Sequence, residues 1–242
     1  MVDLGLDGYG FQARLRPALL SLFPVFITVA VWAPALYQTA ASLLGLAVAC
    51  GLTVACAHVS RRLGRSIEDR LVKEWGGLPT TAWLRHADRH LEAETKRRYH
   101  HFLEQNVPGW TAPTPAEEAA NQDETNKRYG SAVRWLLEYT RDTKQFKLIF
   151  AELISYGFRR NALGLRSVGI ILALASTGFA AAQLYDVPFN NFVSDYFSQL
   201  AAGVVSILIL LWWTFGVSKS WVRDAGDAYA KALLGACDRS QT

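Results

Sequence analysis

Residues 17–60 read PALLSLFPVFITVAVWAPALYQTAASLLGLAVACGLTVACAHVS and contain no Asp, Glu, Lys or Arg. This uncharged stretch is about twice as long as the roughly 20 residues that one helix needs to cross a bilayer. It therefore predicts two membrane-spanning helices that fold back on each other, helix one over 15–33 and helix two over 38–59. Pro34, which lacks a helix donor, lies in the predicted turn between Trp32 and Tyr37, whose rings suit the headgroup level.

Two further stretches carry no charged side chain, one over 167–185 and one over 196–218. They predict helix three over 167–185 and helix four over 196–219, joined by a loop with two aspartates and no basic residue. The chain has 242 residues, of which 51% are hydrophobic and 19% charged, and this composition excludes a disordered polypeptide. The predicted fold class is an all-α integral membrane protein with two transmembrane helical hairpins that flank a helical domain.

Basic residues flank the predicted spans on one side only, and both short loops on the other side lack them. Because Lys and Arg near span ends are retained in the cytoplasm, both termini and the central segment are predicted to be cytoplasmic in the bacterial inner membrane. The predicted organisation is a cytoplasmic N-terminal segment 1–14, a hairpin 15–59, a cytoplasmic helical domain 60–166, a hairpin 167–219 and a cytoplasmic tail 220–242.

Small residues recur at every fourth position of two predicted spans: Ala41, Gly45 and Ala49, and Gly169, Ala173 and Thr177. This spacing lets helix backbones approach closely in lipid. It fits either a self-association face of a homo-oligomer or packing between the hairpins of one subunit, and the abundance of alanine favours packing within the subunit. The spans lack the charged residue that an ion-coupled carrier needs, which disfavours a carrier and leaves a pore of several subunits open.

The central segment has the three-four spacing of apolar residues that is typical of helices, and no alternating strand pattern. Helix starts are predicted at Thr80, Thr95, Thr114 and Asp142, with a flexible break near 106–115. Trp75-Gly76-Gly77-Leu78-Pro79 is interpreted as a turn with a Trp anchor, since it lacks the pattern of a phosphate-binding loop.

Four residues of the central segment are weak candidates for a metal site: His86, Asp88, His90 and His100. On a helix, His86 and His90 lie one turn apart on the same face, and Asp88 or His100 offers a third ligand. The glutamate of the zinc-protease motif is absent, however, and neighbouring arginines oppose a cation. A solvated helix face is the favoured interpretation, and no cofactor is expected.

Clusters of basic residues are candidates for contact with anionic lipid headgroups or a partner. They are Arg61, Arg62, Arg65, Arg97, Arg98, Arg159 and Arg160. Membrane topology and lipid contact together account for them better than nucleic acid does, although aromatic residues are interleaved. No Ser–His–acid or Cys–His arrangement is recognisable, so an enzyme is the minority hypothesis.

Five motifs of the central segment together resemble a family of uncharacterised bacterial four-helix membrane proteins. They are Trp75-Gly76-Gly77-Leu78-Pro79-Thr80, Leu84-Arg85-His86-Ala87-Asp88, Thr95-Lys96-Arg97-Arg98-Tyr99-His100, Tyr139-Thr140-Arg141-Asp142 and Tyr156-Gly157-Phe158-Arg159-Arg160-Asn161. The resemblance implies helical hairpins that bear a cytoplasmic domain, an architecture similar to that of membrane effectors in bacterial antiphage systems. It carries no activity over to a residue of this chain.

Three functions are therefore expected, in this order. The first is a non-enzymatic inner-membrane effector of antiphage defence that oligomerises and whose cytoplasmic domain receives a signal or partner. The second is a membrane anchor that recruits a soluble protein through the same domain. The third is a metal-dependent membrane enzyme on His86, Asp88, His90 and His100.

Overall fold

The computed structural model describes residues 8–34, 43–188 and 195–239, and for residues 43–50, 52 and 53 it describes the backbone alone. All regular structure in these ranges is helical, and they contain no strand. The predicted all-α class is thus confirmed for the described part of the chain. Ala41, most of the predicted turn after Pro34 and most of the loop before Asp195 lie outside it.

The described helices are α1 Gly10–Trp32, α2 Leu43–Glu74, α3 Pro79–Ala82, α4 Ala93–Asn106, α5 Pro115–Ala120, α6 Gln122–Tyr139, α7 Lys147–Leu184, α8 Phe197–Gly216, α9 Lys219–Leu234 and α10 Ala236–Arg239. Two of them contain a wider π-helical turn. Helix α1 opens with one over Gly10–Leu15, and α8 closes with one over Trp212–Gly216.

The chain divides into two compact units. The first, called the apolar unit below, comprises Met1–Glu68 and Gly157–Trp221. The second, called the polar unit, comprises Asp69–Tyr156 and Val222–Thr242. Residues 222–239, which the sequence places in a separate tail, belong to the polar unit because buried residues of α9 such as Leu233 and Leu234 contribute to its core.

Three of the described helices are long and apolar enough to cross a membrane: α1, α7 and α8. They correspond to predicted helices one, three and four, but α8 ends at Gly216, three residues before the predicted end of helix four, because the backbone is extended at Val217. Predicted helix two begins outside the described residues, and α2 continues past the predicted end at residue 59 to Glu74. The second half of α2 is polar, because residues 61–73 combine many charged side chains with apolar ones at helical spacing.

At one end of the apolar unit, α1, α2 and α7 approach one another closely. The side-chain amide of Asn161 donates to the carbonyl of Ala13 at 2.6 Å, and both residues are fully buried. Gly64 and Gly164 form the crossing of α2 and α7, since a Cβ added to Gly164 would lie 2.6 Å from the backbone nitrogen of Gly64. Glycine is required here by the close approach of two backbones.

Helix α8 ends at this same end of the apolar unit, and its π-helical turn leaves two carbonyls accessible there. The guanidinium of Arg166 on α7 donates to the carbonyl of Trp213 at 3.2 Å and to that of Thr214 at 2.7 Å. At the far end the rings of Trp32 and Phe179 meet edge to face at 5.6 Å. Helices α1 and α7 are therefore parallel to each other, and α8 is antiparallel to both.

The predicted helix starts of the central segment differ in accuracy. Thr114 caps α5 with a capping box, in which Thr114 and Glu117 bond reciprocally, whereas α3 begins at Pro79, one residue before the predicted Thr80. Helix α4 begins two residues before Thr95. The start predicted at Asp142 is wrong: its carboxylate accepts from the backbone N–H of Lys144 and forms a turn, so α7 begins at Lys147.

Candidate functional site

The segment 83–92 of the polar unit joins α3 to α4 and contains the predicted histidine motif. It forms turns and bends, so the helix assumed for His86 and His90 is absent and that prediction is wrong. The reason is local competition for backbone donors. The Asp88 carboxylate accepts from the N–H of His90 at 2.8 Å, a side-chain bond that replaces a helical one.

Glu118 on α5, the residue after the capping Glu117, holds this segment in place through hydrogen bonds. Its carboxylate accepts from the backbone N–H groups of His86 at 2.9 Å and Ala87 at 3.1 Å, and from the hydroxyl of Tyr129 at 3.1 Å. Burial of Glu118 raises the pKa of its carboxyl, but these three hydrogen bonds outweigh it and leave the pKa below its ordinary value. A carboxylate is thus held ionised under the segment.

Lys96 on α4 supports the same segment from the side. Its ammonium donates to the carbonyls of Arg85 and Asp88, at 2.6 Å each, and the residue is only 6% exposed. Burial lowers the pKa of this amine, against the opposing influence of the carboxylates of Asp88 and Glu118. Within the described ranges neither carboxylate forms an ion pair with Lys96, so its hydrogen-bond partners are neutral carbonyls.

Two imidazoles complete the site. His86 Nε2 lies 2.7 Å from the carbonyl of Pro113, and His100 Nε2 lies 2.7 Å from that of Leu84, so each nitrogen carries the proton and donates. The two rings meet edge to face at 5.2 Å. Burial lowers the pKa of His100, and the positive charges of His86 and Lys96 add to the effect.

These residues surround a cavity of about 510 Å³. Its lining consists of His86, Asp88, Arg89, Leu91, Ala93, Lys96, Arg97 and His100. Lys96 and His100 are buried, whereas His86, Arg89 and Arg97 are exposed at the opening. The volume lies within the range of about 300–1,000 Å³ that is usual for small-molecule sites.

The four metal candidates do not form one ligand set. His86 and His100 are committed to backbone carbonyls through Nε2, and the His90 imidazole lies 3.0 Å from the Asp88 carboxylate while its ring stacks on Trp83. Among the described residues, no group of three or more His, Cys, Asp or Glu side chains is arranged to hold a metal ion.

The predicted lipid-contact arginines separate into two sets. Arg61, Arg65 and Arg160 lie near Arg14 in the apolar unit, where repulsion, first from Arg14 and then from Arg65, lowers the pKa of Arg61. Arg160 also bonds Glu68 at 2.9 Å. The exposed Arg62 is next to this set in sequence, and Arg159 donates to the carbonyl of Trp221 at 3.0 Å.

The second set lies in the polar unit and forms ion pairs. Arg97 pairs with Glu94 one turn before it on α4, and Arg98 pairs with Asp238 of α10 at 3.1 Å. Only Arg97 of the two lines the cavity.

The small residues of α7 are used inside the chain. Gly169 lies directly against the Trp213 ring, and Ala173 is fully buried. Thr177 is half-buried. Of Gly45 and Ala49 the structure describes the backbone alone, and Ala41 lies outside the described residues. For Gly169 and Ala173 the geometry fits packing within one subunit, the alternative that the sequence favoured.

Sequence reasoning missed Glu118 and Arg89 and did not separate Lys96 from its basic neighbours. No local signal identifies Glu118, because its partners lie about 30 residues away along the chain. Lys96 is the one basic residue of Lys96-Arg97-Arg98 that faces inward on α4. Its spacing of three from Tyr99 and four from His100, both buried, was a detectable signal.

Comparison of the chain with family models, with curated proteins and with solved structures gave no match. The site is therefore interpreted from its own geometry.

Proposed function

We propose that the chain is a multi-pass protein of the bacterial inner membrane in which α1, α2, α7 and α8 form two transmembrane hairpins. The observation that carries this proposal is the exposure of apolar surface. No more than 28% of each apolar window of α1, α7 and α8 is buried. Ile171 and Leu174 on α7 are 64% and 58% exposed, on the face opposite the buried Ala173. An apolar exterior of this extent supports a location in lipid.

The distribution of arginines supports cytoplasmic termini and a cytoplasmic polar unit. Arg14, Arg61 and Arg65 lie together at the end of the apolar unit where α1 begins, and Arg166 binds the end of α8 there. Asp186 and Asp195 flank the loop at the other end. Positive charge collected at one end is retained on the cytoplasmic side and meets anionic headgroups. Arg61, Arg62, Arg65, Arg159 and Arg160 are the lipid contacts in this proposal.

The proposed role is that of a non-enzymatic membrane effector whose polar unit receives a signal or a protein partner. The open cavity between α4 and the segment 83–92 supports a receptor function for this unit. Antiphage defence is the setting that the resemblance of the central motifs supplies. A homo-oligomer is part of the proposal, and because Gly169 and Ala173 are used within the chain, its contacts would involve exposed residues such as Ile171 and Leu174.

A membrane-potential dye tests the effector role in cells that express the whole chain from an inducible promoter. We expect the potential to fall on induction or on phage infection, relative to cells that express an unrelated multi-pass protein at the same level. An unchanged potential under both conditions contradicts the effector role.

A membrane anchor is the second candidate, favoured by the internal use of the α7 small-residue face. It predicts a monomer by mass measurement in detergent, and activity that survives replacement of the spans by unrelated ones. Gly169→Leu does not report on subunit association in that measurement, because the new side chain collides with Trp213 of the same chain.

A further inference from the structure

The lining of the polar-unit cavity is unusual in its charge. Arg89, Lys96 and Arg97 are its basic side chains, and Asp88 is the only acidic side chain among the lining residues. The Asp88 carboxylate is already engaged by the backbone N–H and the imidazole of His90. The lining side chains therefore carry more positive than negative charge, although Glu94 pairs with Arg97 at the rim and the Glu118 carboxylate acts on Lys96 from outside the lining.

Lys96 shows that this charge extends into the floor of the cavity. It is almost fully buried, and its ammonium donates to two carbonyls, which leaves one of its three donors for another acceptor. Burial of a cation beside neutral partners is costly, because the carbonyls do not compensate the lost hydration as an anion does. An anion in the cavity would supply a counter-charge in direct contact with the ammonium, which Asp88 and Glu118, acting without an ion pair, do not.

The rim adds two guanidinium groups that can accept an oxyanion. Arg89 has no ion pair within the described ranges, and Arg97 pairs with Glu94 at the surface, where both side chains are more than 70% exposed. Such an exposed pair is worth little in water and is readily exchanged for a ligand oxygen. Guanidinium forks match the geometry of phosphate, and a phosphate monoester has a charge of about −1.5 to −2 at pH 7, which matches the surplus.

We infer that the cavity is a binding site for a small anionic ligand that carries a phosphoryl group, with Lys96 at its floor and Arg89 and Arg97 at its rim. The inference rests on the proposed function in that it identifies the chemistry of the signal that the polar unit receives. The phosphoryl group comes either from a soluble metabolite or from a lipid headgroup, and the two sources share the same contacts.

The test is equilibrium dialysis of the whole chain, purified in neutral detergent, against labelled inorganic phosphate at constant ionic strength. We expect saturable binding of one phosphate per chain. The variant Arg89→Gln/Arg97→Gln should weaken it about a hundredfold, since each of the two lost charge-assisted contacts removes about 1.4 kcal/mol, which is a factor of about ten.

The matched control is Arg134→Gln/Arg141→Gln, which removes two arginines of the same unit outside the cavity. Arg141 pairs with Glu138 three residues before it, as Arg97 pairs with Glu94, and is also exposed. The control should bind phosphate as the unmodified chain does. Absence of saturable binding below about 10 mM, or equal loss in both variants, overturns the inference.

A second arm distinguishes the sources of the phosphoryl group. The chain is placed in phosphatidylcholine nanodiscs with or without phosphatidic acid, and the phosphate titration is repeated. Competition by phosphatidic acid identifies a lipid headgroup, and unchanged phosphate binding identifies a soluble ligand. Because binding is measured without any change of membrane potential, its failure is distinguishable from failure of the effector role.

Discussion

At the scale of single residues, the polar unit depends on a buried carboxylate that organises a segment without helix. Glu118 is 7% exposed and satisfies three donors, whereas its neighbour Glu117 is exposed and serves as a cap. Both residues are glutamates, so the difference in their burial comes from the face of α5 on which each one lies. Substitutions at these two adjacent positions separate the two roles.

Glu118→Ala should lower the free energy of unfolding by about 2–4 kcal/mol, because it leaves two backbone N–H groups and a buried hydroxyl without an acceptor. The measurement is thermal unfolding of the whole chain in detergent at pH 7. Glu117→Ala, which loses the capping box and an exposed ion pair with Arg128, should shift the melting temperature much less. Equal shifts for the two variants would show that the buried network does not stabilise the polar unit.

The sign of the pH effect of Glu118 follows from its lowered pKa. Its contribution to stability is present above the unfolded-state pKa of about 4.3 and is lost as the pH falls through the lower pKa of the folded state. The melting temperature of the unmodified chain should therefore fall more steeply in acid than that of Glu118→Gln, which is neutral throughout. Parallel curves would contradict this assignment.

His100 gives a second pH dependence at higher pH. Burial lowers its pKa, so its contribution to stability is present above about pH 6.5 and is lost as the pH falls, by up to about 1.4 kcal/mol per pH unit. His100→Gln should reduce the loss of melting temperature between about pH 7.5 and pH 5.5. The adjacent His101→Gln, at an exposed position, should leave that loss unchanged. If both variants reduce the loss of melting temperature, the pH dependence does not come from His100.

At the scale of the helices, the crossing of α2 and α7 depends on two glycines. Gly164→Ala places a Cβ against the backbone of Gly64, which cannot move aside as a side chain does, so the helices must separate. We expect a clear loss of folded protein, measured as the monodisperse fraction in detergent. Gly178→Ala on the same helix meets open space and should be neutral or stabilising by up to about 1 kcal/mol. Equal yields for both variants would contradict the crossing.

Sequence reasoning succeeded where the signal is local. The uncharged runs predicted α1, the second half of α7 and α8, and the Thr114 capping box predicted the start of α5. It failed at Asp142 and at His86–His90, where an aspartate bonds the backbone two residues ahead and stops a helix that composition alone allows. Such side-chain hydrogen bonds compete with the backbone hydrogen bonds of a helix. The difference in free energy between the two is too small to predict from the sequence.

The site needed contacts between distant residues, which a single sequence does not reveal. Glu118 meets His86 across 32 residues, and Lys96 meets Arg85 across 11. The predicted histidines His86 and His100 are present at the cavity, but each donates to a backbone carbonyl. The positive charge of the lining depends on which face of α4 is turned inward. The basic composition was visible in the sequence, whereas its collection around one cavity was not.

At the scale of the whole molecule, the account assigns the apolar unit to the membrane and the polar unit to the cytoplasm. Its motivating features are the exposed apolar faces of α1, α7 and α8 and the arginines at one end of the apolar unit. In the proposed topology each unit has a different solvent, and the proposed receptor and effector roles both depend on that topology.

Site-directed cysteine labelling tests this topology most directly. In a chain with Cys50, Cys56 and Cys237 replaced by alanine, Tyr185→Cys and Ser131→Cys introduce single thiols at exposed positions beside the outer loop and on the polar unit. With a membrane-impermeant maleimide, we predict that intact spheroplasts label Tyr185→Cys alone and that inside-out vesicles label Ser131→Cys alone. Labelling of Ser131→Cys in intact spheroplasts, or recovery of the chain in the soluble fraction after alkaline extraction, would contradict the account.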